Sequence, residues 1–369
     1  MGRKTSILTL IILSISIAFP IFMSEQIGGW TKKYTSKIKF EASKIPNLSD
    51  KVAIVTGSNT GIGYQTALEL ARANATVIVA ARSEAKGIAA VKEIQKEVQH
   101  SKKIQFLKLD LSSLDSVEQF TTSFLKLGIP LHVLMLNAGV MKSPGENFGV
   151  GYQNYGFETT EDGFEYHIGV NHIGHAYLTK LLLPKLKQSA PSRIVSVSSM
   201  AEMGAPPSGM IFDRWLPKDG IMPQDYEDGL AYGQSKLANL MYTKELAKRL
   251  DGTSVSAYSL HPGVITSDLT RYLSVEMENA VKEQGRIAQI VSMIFGNLFE
   301  MALFNVKDGA LTQLYVATAE EGKLVNGGFY HPIGNLVDSS HPQGLNETLS
   351  SILWDETERA ISKRNKYRY

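Results

Sequence analysis

Cysteine is absent from the 369 residues. That excludes disulfides and thiolate metal sites, and it leaves the cellular compartment undecided. A large charge of either sign is also lacking. The net charge is +2, so nucleic acid or another polyanion is not an expected partner. The eight histidines form no cluster with metal-ligand spacing, and no internal repeat is present. The closing residues 363–369 (KRNKYRY) read as a short solvated basic tail. What remains is ordinary globular composition, 43% hydrophobic and 20% charged, enough for one large domain or two small ones.

The N-terminus stands apart. Residues 5–24 carry no charge until Ser24 and are rich in Ile, Leu and Phe, with Arg3 and Lys4 before them. The stretch is long enough to cross a bilayer, or to be a cleaved signal peptide. The apolar run continues through Ile21, Phe22 and Met23, past the small residues Ser16 and Ala18, which favours an uncleaved anchor. Lys32, Lys33, Lys37, Lys39 and Lys44 follow it. The excess of positive charge after the run puts the remainder of the chain in the cytosol, with the endoplasmic reticulum as the expected membrane. Sequons at Asn47, Asn74 and Asn346 would matter only on the lumenal side.

From Lys51 onward, short apolar runs alternate with helical patterns. Strands are predicted over 52–55, 76–81, 104–109, 131–136, 193–197 and 255–260. Helices are predicted from the Gly-rich turn to about Ala73, and over 84–99, 116–126, 163–187 and 230–250. Near-continuous apolar strands between helices indicate a parallel sheet covered on both faces, a doubly wound dinucleotide-binding fold. Ligands of such sheets bind outside the strands' carboxyl ends. Gly57, Arg82, Asp110, Asn137, Ser199 and Pro262 all fall at that edge, one after each strand. Two long segments, 141–160 and 200–229, interrupt the pattern, and loops of that length in a compact domain are usually functional.

The chemistry rests on two distant elements. The turn TGSNTGIG over 56–63 carries Gly57, Gly61 and Gly63, which allow a tight turn and close approach of backbone to a pyrophosphate, with a helix N-terminus behind it. In AYGQSK, Tyr232 and Lys236 are four residues apart and share a helix face. A free tyrosine has a pKa near ~10. A neighbouring ammonium is expected to lower it, which would let the phenol exchange a proton with an alcohol or carbonyl oxygen. After the second strand stands Ala81-Arg82-Ser83, with Glu84 the nearest carboxylate. An Arg there suits a 2′-phosphate and favours NADP(H) over NAD(H).

The chain resembles the short-chain dehydrogenase/reductase superfamily, in its retinol dehydrogenase-like branch. The resemblance covers about 51–334 and rests on TGSNTGIG, AARS, DLSS, LNAGVM, GVNHIGH, RIVSVSS, YGQSKLAN and HPGVITSDL, in family order. It implies a catalytic tetrad of Asn171, Ser199, Tyr232 and Lys236. Tyr232 would be the general acid/base. Lys236 would lower its pKa and hold the nicotinamide ribose, Ser199 would bond the substrate oxygen, and Asn171 would hold a water in a relay to Lys236. Between Ser198 and Ser199 the family pattern selects the second. The resemblance assigns cofactor contacts to Gly57, Ser58, Asn59, Gly61, Ile62 and Gly63, and to Arg82. It further assigns Asp110 and Leu111 to the adenine, Asn137, Ala138 and Gly139 to the segment along the cofactor, and Pro262, Gly263, Val264 and Thr266 to the carboxamide loop. Leu136 departs from the family, which usually has Asn there to support the sheet, and the 141–160 loop is longer than usual.

The expected organisation is an anchor or signal over 1–25, a linker over 26–47, one Rossmann domain over 48–345, and a C-terminal helix and basic tail over 346–369. The expected activity interconverts a lipophilic alcohol, of retinoid, polyprenoid or steroid kind, with its aldehyde or ketone. An apolar stripe at Ile287, Ile290, Val291, Ile294, Phe295 and Leu298 reads as core or as the substrate side. A homo-oligomer is left open. A sugar-nucleotide epimerase and a non-catalytic dinucleotide-binding protein are the alternatives.

Overall fold

All five residues of Val52–Thr56 (β1) are buried, as an apolar strand covered on both faces requires. The computed structural model describes residues 38–98, 103–141, 157–217, 226–265 and 304–363. Around β1 runs a sheet that also contains Thr76–Ala81 (β2), Ile104–Lys108 (β3), Val133–Leu136 (β4), Ser192–Val197 (β5) and Val255–Leu260 (β6). Two strands not foreseen in the sequence extend it, Phe329–His331 (β7) and Asn335–Val337 (β8). The spatial order is β3-β2-β1-β4-β5-β6-β7-β8. Neighbours from β3 to β7 are parallel, and β8 returns antiparallel.

Helices cover both faces. One core cluster packs Ile54, Ile78 and Leu134 against Leu114–Lys126 (α3), Gly174–Gln188 (α4), Asp228–Arg249 (α5) and Glu347–Lys363 (α7). The other packs Ala53, Val55 and Val77, the alternate residues of the same strands, against Gly61–Arg72 (α1), Glu84–Glu97 (α2) and Val306–Thr318 (α6). α7 is fixed to the first face by Trp354, which stacks on Tyr242 at 4.8 Å, and by Thr357 Oγ1, 2.8 Å from His172 Nε2.

The unit begins earlier than its composition indicates. Phe40, Ile45 and Leu48 pack against the second core cluster, and the Phe40 ring meets Tyr315 edge-on at 5.4 Å. Residues 38–47, read from the sequence as linker, are therefore part of the packed domain. Among the described residues no helix is long and apolar enough to cross a membrane. The N-terminal apolar run, Thr266 and the 287–298 stripe lie outside the described residues.

The helix expected over 163–187 is not one regular helix. A short α-turn, Tyr166–Ile168, passes into a π-helical segment, Gly169–Ile173, and only then into α4. Such π-segments inside helices often mark functional positions. This one carries Asn171.

Candidate active site

The strand order reverses at β1, whose neighbours are β2 and β4. That switch point opens a crevice at the carboxyl edge. The loop after β1 and the loop after β4 approach closely there. A Cβ on Gly57, which has φ +67°, would lie 2.8 Å from Ala138 Cα, and one on Gly63 would lie 2.3 Å from Asn137 Nδ2. Only glycine fits these two positions. Asn137 Nδ2 donates to the Thr56 carbonyl at 2.8 Å, while Asn137 Oδ1 is buried with no hydrogen-bond partner. Thr60, the N-cap of α1, makes no side-chain capping bond, so the amides of the first turn remain available to an anion. These features fit a pyrophosphate and its adjoining ribose.

The remaining predicted contacts sort themselves by side chain. Ser58 is turned inward, Oγ donating to the Val55 carbonyl at 2.6 Å, so it offers backbone and holds the turn. Asn59 is half-buried in the same turn. The Ile62 carbonyl takes Gln313 Nε2 at 3.1 Å, tying the turn to α6. Arg82 lies exposed after β2 and donates Nη1 to Tyr166 Oη at 3.2 Å. Asp110 Oδ1 accepts from Ser112 N at 2.9 Å and Ser112 Oγ at 2.7 Å, closing a local turn. Leu111 is a core residue, leaving its backbone for a ligand, and Leu136 is packed in the same core. Pro262 and Gly263 are buried after β6, with Val264 half-buried. A Cβ on Gly263, at φ +98°, would lie 2.7 Å from the Phe304 ring.

The four tetrad candidates converge. Ser199 N-caps the 3₁₀ turn Met200–Gly204 by accepting from Ala201 N at 3.1 Å, and its hydroxyl is near enough to the Tyr232 phenol to perturb it. Ser198 Oγ instead donates to the Lys236 carbonyl at 2.6 Å, so its side chain faces α5. Lys236 Nζ donates to the Val197 carbonyl at 3.2 Å and lies 5.6 Å from the centre of the Tyr232 ring. A Cβ on Gly139 would meet that Nζ at 3.2 Å and Asn171 Oδ1 at 3.5 Å. Asn171 clips the loop after β4 at both ends of its amide. Oδ1 accepts from Val140 N at 2.8 Å and Nδ2 donates to the Val140 carbonyl at 2.9 Å.

Ser235 is a site residue that the sequence reading missed. It is fully buried, accepts from Asn171 Nδ2 at 2.9 Å and donates to the Tyr232 carbonyl at 2.7 Å. The signal was its position inside the Tyr/Lys motif, directly before Lys236. His167 was also missed. Its ring stands edge-on to Tyr232 at 6.0 Å, and Nδ1 pairs with Glu165 at 2.9 Å. Burial opposes the Glu165 charge, but the His167 side chain and the amides of His167 and Ile168 hold its pKa below the ordinary value.

The electrostatics correct one expectation. Tyr232 is not lowered by Lys236. Burial of the hydroxyl pushes it up to about 12, and the nearby Ser199 hydroxyl pulls against that rise. Lys236 itself is held down to about 8 by burial. Loss of solvation is the leading cause of both shifts, because both groups are enclosed by protein. The pair is thus a protonated phenol beside a weakened ammonium.

Comparison with known proteins agrees with this geometry. Residues 51–211 match the short chain dehydrogenase family. Mouse retinol dehydrogenase 11 is 42% identical over 308 residues, covering 84% of this chain and 85% of that protein. Human retinol dehydrogenase 13 is 37% identical, covering 84% of each. The crystal structure of a protein from Mycobacterium paratuberculosis superposes with a TM-score of 0.64 at 30% identity, covering 88% of this chain and 97% of that one. With a crevice at the switch point, the four tetrad candidates beside it and relatives of this closeness along most of its length, the chain belongs to the short-chain dehydrogenase/reductase superfamily, in the retinol dehydrogenase-like branch.

Proposed function

We propose that the protein interconverts a lipophilic alcohol and its aldehyde or ketone, with NADP(H) as the hydride carrier and Tyr232 as the general acid/base. The observation that carries this reading is Lys236 Nζ, which lies 5.6 Å from the centre of the Tyr232 ring and 3.2 Å from where a Cβ on Gly139 would stand, at the edge where the glycine turn and residues 137–139 line a crevice. The dinucleotide, when bound, supplies or receives the hydride. Ser199 orients the substrate oxygen by hydrogen bonding. Tyr232 gives that oxygen a proton in reduction and takes it back in oxidation. A phenol held near 12 is almost wholly protonated at neutral pH, which suits carbonyl reduction. Lys236 supplies positive charge beneath the phenol and a donor for the ribose, and Asn171 keeps the 137–140 loop and α5 in fixed relation.

Arg82 supports NADP(H) over NAD(H). It stands after β2 where an NAD-specific site would present a carboxylate, and its side chain is exposed, with Nη1 bonded to Tyr166 Oη. Several similar proteins are named retinol dehydrogenases, which supports a lipophilic substrate of retinoid, polyprenoid or steroid kind. The apolar run over 5–24 and the lysines after it support a membrane anchor, of the endoplasmic reticulum, with the enzyme on the cytosolic side.

Purified protein offered NADPH and a panel of retinoid, polyprenoid, steroid and sugar carbonyls tests the activity. Oxidation of NADPH by a lipophilic member, with the matching alcohol formed, is the expected result. Turnover of the sugar carbonyls alone, or cofactor binding with no turnover on any member, would contradict it. Carbonate extraction and protease protection of microsomes carrying a C-terminal tag test the anchor. A tag that survives protease, with glycan on Asn346, would put the domain in the lumen.

A further inference from the structure

One buried titratable side chain at the centre of the site has no part in the chemistry above. His175 is 3% exposed and lies one helical turn after Asn171. Its ring spans two elements. Nε2 is 2.9 Å from Thr56 Oγ1 at the end of β1, and Nδ1 is 3.1 Å from the Asn171 carbonyl oxygen. Thr56 Oγ1 in turn accepts the N–H groups of Asn137 and Ala138, each at 2.9 Å. The Asn171 amide returns to the same loop through both backbone groups of Val140. The circuit is closed. It runs from loop 137–140 to Thr56, to His175, to the Asn171 carbonyl, and back through the Asn171 side chain.

The donors and acceptors fix the ring's protonation. A carbonyl only accepts, so Nδ1 carries the hydrogen. Two amides occupy both lone pairs of Thr56 Oγ1, so that hydroxyl presents its hydrogen. Nε2 receives it at 2.9 Å, in preference to the Met135 carbonyl at 3.3 Å. The ring must be neutral to serve both partners. Burial, opposed by the bond to Asn171 and aided by the charge of Lys236, holds its pKa down to about 4.

We propose that His175 is a positioning residue, which fixes the spacing between the 137–140 loop along the cofactor and the π-helical segment that carries Asn171. It acts through Thr56 and Asn171 and touches neither substrate nor cofactor. The inference rests on the oxidoreductase reading of the site. Its consequence is a split in the kinetics. The pyrophosphate would sit on Gly57–Gly63, beyond the Thr56 hydroxyl that His175 contacts, whereas the reacting end would lie along 137–140. Loss of His175 should therefore slow turnover and spare dinucleotide affinity.

The test uses the full chain with His175→Leu, His175→Asn, Thr56→Val and the double variant His175→Leu/Thr56→Val. His175→Leu should lower kcat about ten- to a hundred-fold, as misplacement of reacting groups does, with the KM for NADPH within about threefold of the parent. Asparagine can place its amide nitrogen where Nδ1 stands, so His175→Asn should recover part of the loss. The double variant should be no slower than the slower single, since both break one circuit. Amide hydrogen exchange of the cofactor-free variants gives an independent readout. Exchange should quicken at 137–140 and 166–175 and stay unchanged in β2 and β3. If His175→Leu fails to fold, His175→Asn and Thr56→Val carry the same measurements. A kcat for His175→Leu within about twofold of the parent, or additive losses in the double variant, would overturn the proposal. So would unaltered exchange at 137–140. Should the parent protein turn over no carbonyl, the oxidoreductase reading fails, and the exchange measurement alone decides the role of His175.

Discussion

Ser235 Oγ lies 2.9 Å from Asn171 Nδ2 and ties the π-helical segment to the helix that carries Tyr232 and Lys236. The same hydroxyl donates to the Tyr232 carbonyl at 2.7 Å. Ser235→Ala leaves the buried Asn171 amide hydrogen without an acceptor, which costs about 1–3 kcal/mol. Chemical denaturation should show that loss. Turnover should fall with it, because Asn171 also clips the 137–140 loop. A variant with parental stability and parental kcat would show that this bond has no such role.

Arg82→Asp should shift preference from NADPH toward NADH. The substitution repels a 2′-phosphate and offers a carboxylate to ribose hydroxyls. Charged partners of this kind contribute about 1.5–3 kcal/mol, or roughly ten- to a hundred-fold in affinity. The ratio of kcat/KM for the two cofactors reports it. Arg82 also bonds Tyr166 Oη, so Tyr166→Phe serves as the control and should leave the ratio unchanged. An unchanged ratio in Arg82→Asp would remove Arg82 as the discriminator.

Lys236 makes stability depend on pH. Its ammonium is held down to about 8 in the folded chain by burial, against 10.5 unperturbed. Between these values the unfolded chain keeps a proton that the folded chain has released, so the stability of the cofactor-free protein should rise with pH from about 8 to 10.5. Lys236→Met should remove that slope. It should also stabilise the protein at pH 7 by up to about 3 kcal/mol, less what the lost bond to Val197 contributed. Urea denaturation at several pH values checks this. A wild-type slope that persists in Lys236→Met would assign it to another group.

The parts of this architecture that could be read in the sequence are those with a strong local signature. β1 to β6 are apolar runs bounded by polar turns, and each ends on a residue whose type suits the ligand edge. β7 and β8 could not be read, because three-residue strands flanked by Gly327, Gly328 and Pro332 show no periodicity. The π-segment was hidden for a different reason. Its residues, Gly169–Ile173, continue the helical pattern on both sides, and their spacing carries no mark of a register shift. The direction of the Tyr232 shift was likewise beyond the sequence. Spacing places an ammonium near the phenol, but only the packed structure shows that burial outweighs it. The inward turn of Ser58 and of Ser198 follows from which carbonyl lies beneath each hydroxyl, which adjacent serines in a sequence do not disclose.

The most direct test of the account is Tyr232→Phe, with the rate of NADPH oxidation by a lipophilic aldehyde measured beside an NADPH titration of the same preparation. Phenylalanine fills the ring's place against His167 and Lys236 and removes only the hydroxyl. Turnover should fall by at least about a hundred-fold, as expected when a positioned acid is removed, while NADPH affinity stays within about threefold. Turnover close to that of the parent protein would contradict it.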